Sequence, residues 1–85
     1  MKKVLTIAGS DPSGGAGIQA DLKTMCALGA YGMSVITSVT IQNTVRVFSS
    51  LDMPEEIVKG QLEAIFSDIE VDAVKIGMVS SPAII

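Results

Sequence analysis

The sequence contains no histidine, no tryptophan and one cysteine among its 85 residues. Zinc sites are usually built from several cysteine or histidine ligands, so a zinc site of that type is excluded. A single cysteine cannot form an intramolecular disulfide, which is typical of proteins in the reducing cytoplasm. We expect Cys26 to pack in the core, because free cysteine behaves as a small apolar side chain and it shares a helical face with Leu22 and Met25.

Positive charge and long apolar runs are also scarce. Six Lys and Arg residues stand against nine Asp and Glu residues, and the formal net charge is −3. Because nucleic-acid binding depends on clustered basic side chains, we predict no nucleic-acid partner. No apolar run reaches the roughly 18 residues of a membrane span, so we predict no membrane partner and a cytoplasmic location. The apolar run after Lys2-Lys3 is too short for a signal peptide, and Asp11-Pro12 interrupts it.

The apolar content is high for so short a chain. Hydrophobic residues make up 48% of the sequence, and the mean hydropathy is +0.52. A small domain buries apolar surface poorly, so the chain is either an obligate oligomer or a piece of a larger domain. Ser80-Ser81-Pro82-Ala83 has the composition of a helix start, with only two residues after it. We therefore expect residues 1–85 to be a fragment.

Strands and amphipathic helices are predicted to alternate along the chain. Apolar and β-branched runs indicate strands, and three- and four-residue apolar spacing indicates helices. The predicted elements are a strand over Lys3–Ala8, a helix over Ala16–Leu28, a strand over Met33–Ile41, a short exposed strand over Arg46–Ser50, a second helix, and a buried strand over Val71–Val79. This alternation predicts an α/β fold with a mainly parallel sheet and crossover helices.

Both helices carry terminal signals. Asp52 and Glu55 are spaced as in a capping box, which predicts that Asp52 caps the second helix. Gly29 stands where the first helix should end in a left-handed residue. The buried stripe predicted for the second helix consists of Val58, Leu62, Ile65 and Phe66.

The most informative segment is the glycine-rich stretch 9–23, which joins the first strand to the first helix. Such a loop at a helix N-terminus commonly holds a small polar or phosphorylated ligand. It lacks the Gly-Lys-Ser/Thr end of a Walker A loop. Gly15–Ala20 matches the G-x-G-x-x-A dinucleotide pattern, but the loop is long, and Gln42-Asn43 stand where that pattern needs an acidic residue. A non-catalytic nucleotide- or dinucleotide-binding module remains an alternative.

Polar residues at the ends of the predicted strands form a candidate site, because parallel sheets bind ligands beyond their carboxyl ends. Gln42 is either a reader of a heterocycle edge or a solvent-facing turn residue. Asp21 is either an acceptor for a ligand hydroxyl or a charge favoured near a helix start. Lys75 either faces an anion or pairs with a carboxylate, since burial of an isolated charge is prohibitive. Met78 is either core or ligand wall.

Several segments taken together resemble a known family. The segments are Thr6–Thr24, Ala27–Gly32, Val35–Thr37, Gln42–Thr44 and Val74–Met78. In order and spacing they resemble hydroxymethylpyrimidine/phosphomethylpyrimidine kinases of the ribokinase-like superfamily, and the similarity covers essentially the whole chain. Residues 1–85 would then be the N-terminal, substrate-binding portion of a single larger ribokinase-like domain.

The resemblance implies a kinase of thiamine biosynthesis. Such an enzyme uses Mg-ATP to phosphorylate 4-amino-5-hydroxymethyl-2-methylpyrimidine and then the resulting monophosphate. The implied substrate-binding residues are Gly9, Ala16, Asp21, Gln42 and Met78. Gln42 would pair with the aminopyrimidine edge, Asp21 would hold the hydroxymethyl group, and the other three would shape the walls. Relatives that phosphorylate pyridoxine-type vitamins share this architecture, so a pyridoxine or pyridoxal kinase is the alternative.

The resemblance also implies what the chain lacks. Family members are much longer, and their ATP site, glycine-rich anion hole and catalytic base lie near the C-terminus. We therefore predict no catalytic residue and no metal ligand in this chain, although ATP and Mg²⁺ are implied for the complete protein. The complete protein is expected to be a homodimer. We expect these 85 residues alone to bind substrate weakly at best and not to catalyse.

Overall fold

The computed structural model describes residues 1–77, which form four strands and two helices. Met78, the predicted end of the last strand and the predicted helix start at Ser80 lie outside the described residues. The elements in chain order are β1 Lys3–Ser10, α1 Gly17–Ala27, β2 Tyr31–Gln42, β3 Val47–Asp52, α2 Glu55–Phe66 and β4 Ala73–Ile76.

The strands form one sheet in the order β3-β2-β1-β4. β1 lies parallel to β2 and to β4, whereas β2 and β3 are antiparallel. The predicted α/β class with a mainly parallel sheet is therefore confirmed. β1 continues two residues beyond its predicted end because Ser10 still pairs with Val39, after an irregularity in the register that falls at Gly9.

The two helices cover opposite faces of the sheet. Val58 of α2 joins Leu5 and Val35 in the buried core. On α1, Leu22 and Met25 contact Gly32 of β2. Because successive strand residues point to opposite faces, Leu5 of β1 and Val35 of β2 face α2, whereas Thr6 of β1 and Gly32 of β2 face α1. Within residues 1–77 no helix is long and apolar enough to cross a membrane.

Two predictions about the helices are wrong. α2 begins at Glu55 with Pro54 at the N-cap and no side-chain cap. Asp52 is instead the last residue of β3, where it pairs with Ser38 of β2. It therefore belongs to the sheet and does not cap the helix. Phe66, predicted to be buried, is 52% exposed at the last position of the helix.

Two further predictions about burial are also wrong. Cys26 is exposed, because the buried side of α1 runs through Ile18 and not through the position of the cysteine. β4 is exposed along its whole length, since within the described residues it is an edge strand with β1 on one side only. Gly29, in contrast, has the predicted left-handed conformation, with φ of +78°.

Candidate functional site

A cavity of about 360 Å³ lies at the carboxyl ends of β1, β2 and β4. Its volume lies in the range of small-molecule sites. The residues that line it come from these strands, from β3 and from the glycine-rich loop. They are Ala8, Gly9, Ser10, Asp11, Ala16, Gly17, Ser38, Thr40, Gln42, Val47, Ser50, Lys75 and Gly77.

Glycine at two wall positions allows the backbone to close around the cavity. A β-carbon on Gly9 would lie 2.7 Å from the Ser38 hydroxyl oxygen. Gly17 has φ of +61°, and a β-carbon there would overlap the Gly9 carbonyl oxygen. Gly17 therefore requires glycine for both close packing and its backbone conformation, whereas a β-carbon at position 9 would force the Ser38 hydroxyl to move.

The Asp11 carboxylate organises the glycine-rich loop from inside. One oxygen accepts hydrogen bonds from the Ser13 N–H at 2.9 Å and the Ser13 hydroxyl at 2.7 Å. The other accepts from the N–H groups of Gly15 at 3.1 Å and Ala16 at 2.9 Å. The hydrogen bond from the Ser13 hydroxyl is the largest influence on the pKa of Asp11. Together with the backbone N–H bonds it outweighs the effect of burial and holds the pKa below its usual value.

Gln19 of α1 ties the loop to the end of β1. Its side-chain oxygen accepts a hydrogen bond from the Asp11 N–H at 2.8 Å, and its amide nitrogen donates to the Ser10 hydroxyl at 2.8 Å. Asp11 therefore holds the loop from inside, and Gln19 holds it against the end of β1.

Asp21, Thr6 and Lys75 form a polar cluster between α1 and the sheet. The buried Thr6 hydroxyl donates to Asp21 at 2.6 Å, and the Lys75 ammonium lies 3.0 and 3.1 Å from the two Asp21 oxygens. Burial raises the pKa of Asp21, but the hydrogen bond from Thr6 and the bond and charge of Lys75 outweigh burial and lower it overall. Of the two interpretations of Lys75, the carboxylate pair is present in the structure.

Gln42 sits at the end of β2 beside Thr40. The Thr40 hydroxyl oxygen lies 2.9 Å from the Ser10 carbonyl oxygen and 3.0 Å from the Gln42 side-chain oxygen. A hydroxyl has one proton and can donate to only one of these acceptors at a time. Among the described residues, the Gln42 amide is therefore only partly satisfied, and it can still donate and accept at the cavity.

The predicted site residues are brought together to different degrees. Gly9, Ala16 and Gln42 line the cavity. Asp21 does not line the cavity, but it forms an ion pair with Lys75, which does. Met78 lies outside the described residues.

Sequence reasoning missed the roles of Thr6, Asp11 and Thr40. A usable signal existed for two of them. Thr40 lies two residues before Gln42 and so on the same face of its strand. Asp11 begins an Asp-Pro-Ser turn whose side chain commonly bonds to the backbone that follows. Within residues 1–77, no group of three or more His, Cys, Asp or Glu side chains is placed to hold a metal ion.

The mainly parallel sheet with a cavity at its carboxyl ends is an α/β ligand-binding architecture, and solved structures of ribokinase-like kinases match it. Phosphomethylpyrimidine kinase from Clostridium difficile 630 matches it with a TM-score of 0.95 and 64% identity, over 99% of this chain and 36% of that one. Pyridoxal kinase from Staphylococcus aureus in complex with pyridoxal matches with a TM-score of 0.88 and 44% identity, over 99% of this chain and 31% of that one.

Sequence comparison gives the family. The family model described as phosphomethylpyrimidine kinase matches residues 11–85, and the chain belongs to this family. Hydroxymethylpyrimidine/phosphomethylpyrimidine kinase from Rhizobium meliloti (strain 1021) is 64% identical over 76 residues, which are 89% of this chain and 29% of that protein. The chain thus spans about a third of the length of these relatives.

Proposed function

We propose that the complete protein containing this chain is an ATP-dependent kinase of 4-amino-5-hydroxymethyl-2-methylpyrimidine and of its monophosphate, acting in thiamine biosynthesis. The observation that carries the proposal is the partly satisfied Gln42 amide on the wall of a cavity of ligand size. An aminopyrimidine presents an amine donor beside a ring-nitrogen acceptor, and one primary amide can pair with both. The family membership of the chain supports the same substrate class.

In this proposal each site residue has a distinct task. Gln42 recognises the aminopyrimidine edge, and Asp21 holds the hydroxymethyl end together with its partner Lys75. Gly9 and Ala16 form the walls against which the ring packs, since neither has a side chain large enough to fill the cavity. Met78 is proposed as a further wall.

ATP supplies the phosphoryl group in the proposed reaction. Transfer to the alcohol forms a bond between the hydroxymethyl oxygen and the γ-phosphorus, breaks the bond from that phosphorus to ADP, and releases the hydroxyl proton. In the second transfer an oxygen of the monophosphate forms the new bond to phosphorus, and ADP again leaves. Residues 1–77 contain no group of three or more acidic, His or Cys side chains placed to hold Mg²⁺. We assign the ATP and Mg²⁺ sites and the base to the part of the family's length that this chain does not match. We also propose a cytoplasmic homodimer.

Pyridoxal kinase activity is the second candidate, because S. aureus pyridoxal kinase shares 44% identity and the same fold over this chain. A dinucleotide-binding module is disfavoured on physical grounds. Two of the loop N–H groups that would face a pyrophosphate, those of Gly15 and Ala16, already bind the Asp11 carboxylate.

The test is steady-state ATP-dependent phosphorylation by the complete protein, with the hydroxymethylpyrimidine and pyridoxal as rival substrates. We expect the pyrimidine to have the higher kcat/KM. Gln42→Met should lower kcat/KM for the pyrimidine by about 10- to 100-fold, because it removes two hydrogen bonds to a desolvated ring. Lys59→Met, on the exposed side of α2, is the control and should leave it unchanged. A preference for pyridoxal would favour the second candidate, and phosphorylation of neither compound would reject both.

A further inference from the structure

A site that accepts both an alcohol and its phosphate ester must also accept a dianion. Among the described residues that line the cavity, Asp11 and Lys75 are the only charged ones. Asp11 has the wrong sign for an anion and turns its carboxylate into the loop. Lys75 is therefore the only cation that residues 1–77 place on the cavity wall.

The glycine-rich loop is a poor alternative for binding the phosphate. Loops of this kind bind anions through successive N–H groups. Here the N–H groups of Ser13, Gly15 and Ala16 all donate to Asp11, so the loop already holds an anion of its own. An incoming phosphate would have to displace that carboxylate.

The geometry of Lys75 leaves it free to make a further contact. Its ammonium carries three N–H donors, and the two oxygens of Asp21 take two of them at 3.0 and 3.1 Å. The Lys75 side chain is 52% exposed, whereas that of Asp21 is 18% exposed. Gly77 comes directly after β4, and its missing β-carbon would lie 3.5 Å from the Lys75 nitrogen, so no side chain at position 77 covers the ammonium.

We propose that Lys75 binds the phosphate of the monophosphate substrate and so lets this site perform the second phosphorylation. The inference rests on the proposed function and assigns to one residue the ability to accept the phosphorylated substrate. Asp21 then acts on the phosphate as a positioning residue, because with Thr6 it fixes the ammonium at the cavity. Lys75 thus both neutralises Asp21 and offers its remaining donor to the ligand.

The experiment compares kcat/KM for the pyrimidine alcohol and for its monophosphate in the complete protein. Lys75→Met should lower kcat/KM for the monophosphate about 10- to 100-fold more than for the alcohol, mainly through KM, because a hydrogen bond to a charged group is lost. Lys75→Arg keeps the cation and should keep the ratio of the two kcat/KM values close to that of the wild type. Lys59→Met removes an exposed lysine of α2 and should leave the ratio of the two constants unchanged.

A double variant separates phosphate binding from simple neutralisation of Asp21. Asp21→Asn with Lys75→Met removes both charges, so the net charge of the site is kept and no carboxylate is left unpaired. This variant also carries the test if Lys75→Met alone does not fold. Asp21→Asn alone is its reference, because both proteins then lack the Asp21 charge. If Lys75 contacts the phosphate, the double variant loses kcat/KM for the monophosphate selectively relative to Asp21→Asn.

Two results would overturn the inference while leaving the proposed function intact. One is a double variant with the same ratio of kcat/KM values as Asp21→Asn alone, which would mean that Lys75 only neutralises Asp21. The other is a Lys75→Met enzyme that loses both substrates equally. Failure of the proposed function would look different, because the wild-type protein itself would phosphorylate neither pyrimidine.

Discussion

A single carboxylate, that of Asp11, determines the shape of the glycine-rich loop. It is 2% exposed and accepts four hydrogen bonds from the residues that follow it. The sequence predicts the turn at Asp11-Pro12-Ser13, because Asp and Pro favour turns. It does not predict that the carboxylate fills the loop, since this depends on the path of the chain from Ser13 to Ala16. The glycines of the loop predict a binding site for a phosphate, but the N–H groups of the loop bind the Asp11 carboxylate.

The lowered pKa of Asp11 makes stability depend on pH in a defined direction. The folded state holds the carboxylate charged at a lower pH than the unfolded chain does, so its contribution is complete above the ordinary carboxyl pKa. That contribution is lost as the pH falls through the lowered folded value. We expect Asp11→Asn to reduce the free energy of unfolding most near neutral pH, with a difference from wild type that shrinks below about pH 4.

Urea denaturation of both proteins across this pH range measures the difference. Asp21 and Asp72, whose pKa values are also lowered, are present in both proteins and cancel from the comparison. Asp68→Asn, an exposed change just after α2, is the control and should have little effect. A difference between wild type and Asp11→Asn that grew on acidification would contradict the assignment.

At the scale of the elements, local sequence predicts well whether a segment is a helix or a strand. It predicts less well where each helix or strand begins and ends. The β-branched residues of β2 and the apolar spacing of α1 predicted both elements, because these signals are intrinsic to the segments. Asp52 was misassigned because its pairing with Ser38 lies across the sheet. Such pairing is a tertiary choice that a four-residue capping pattern does not contain.

Gln61 shows the same limit in the contact between α2 and β2. Its side-chain oxygen accepts from the Ile36 N–H at 2.9 Å, and its amide nitrogen donates to the Ile36 carbonyl at 2.9 Å. β3 begins to pair with β2 only at Ser38, so no β3 residue pairs with this edge of Ile36. The Gln61 amide takes the place of a neighbouring strand at this point.

Gln61→Met should therefore destabilise the protein by about 1–3 kcal/mol, because it leaves a part-buried N–H and carbonyl of Ile36 without partners. Chemical denaturation gives the change in free energy of unfolding. Glu63→Gln alters only an exposed ion pair with Lys59 on the same helix, so it should change stability by less than about 1 kcal/mol. Equal effects of the two substitutions would show that the amide pair with Ile36 contributes nothing.

At the scale of the whole molecule, the rule that parallel sheets bind ligands at their carboxyl ends predicted where the site lies. It predicted that Gly9 and Ala16 of the glycine-rich stretch meet Gln42 of β2 at one cavity. It did not predict the pairing of Asp21 with Thr6 and Lys75, which lie 15 and 54 positions away in sequence. Helix α1 must dock on the sheet before these side chains meet, so spacing along the chain carries no signal for the cluster.

Apolar side chains remain exposed on the two outer strands. On β3, Val47, Phe48 and Leu51 are each more than half exposed, and Ile76 of β4 is 66% exposed. The chain spans about a third of its relatives' length. Because burial of such surface stabilises a fold, we expect the complete protein to cover at least the β4 edge.

The central claim is that the cavity at the carboxyl ends of the strands holds an aminopyrimidine alcohol. A crystal structure of the complete protein with this alcohol tests the claim most directly. We predict that the ring lies against Gly9 and Ala16, with its amine and ring nitrogen within hydrogen-bond distance of Gln42. The hydroxymethyl oxygen should point toward the Asp21–Lys75 pair. A pyrimidine bound elsewhere, or bound in this cavity with Gln42 turned away, would contradict the account.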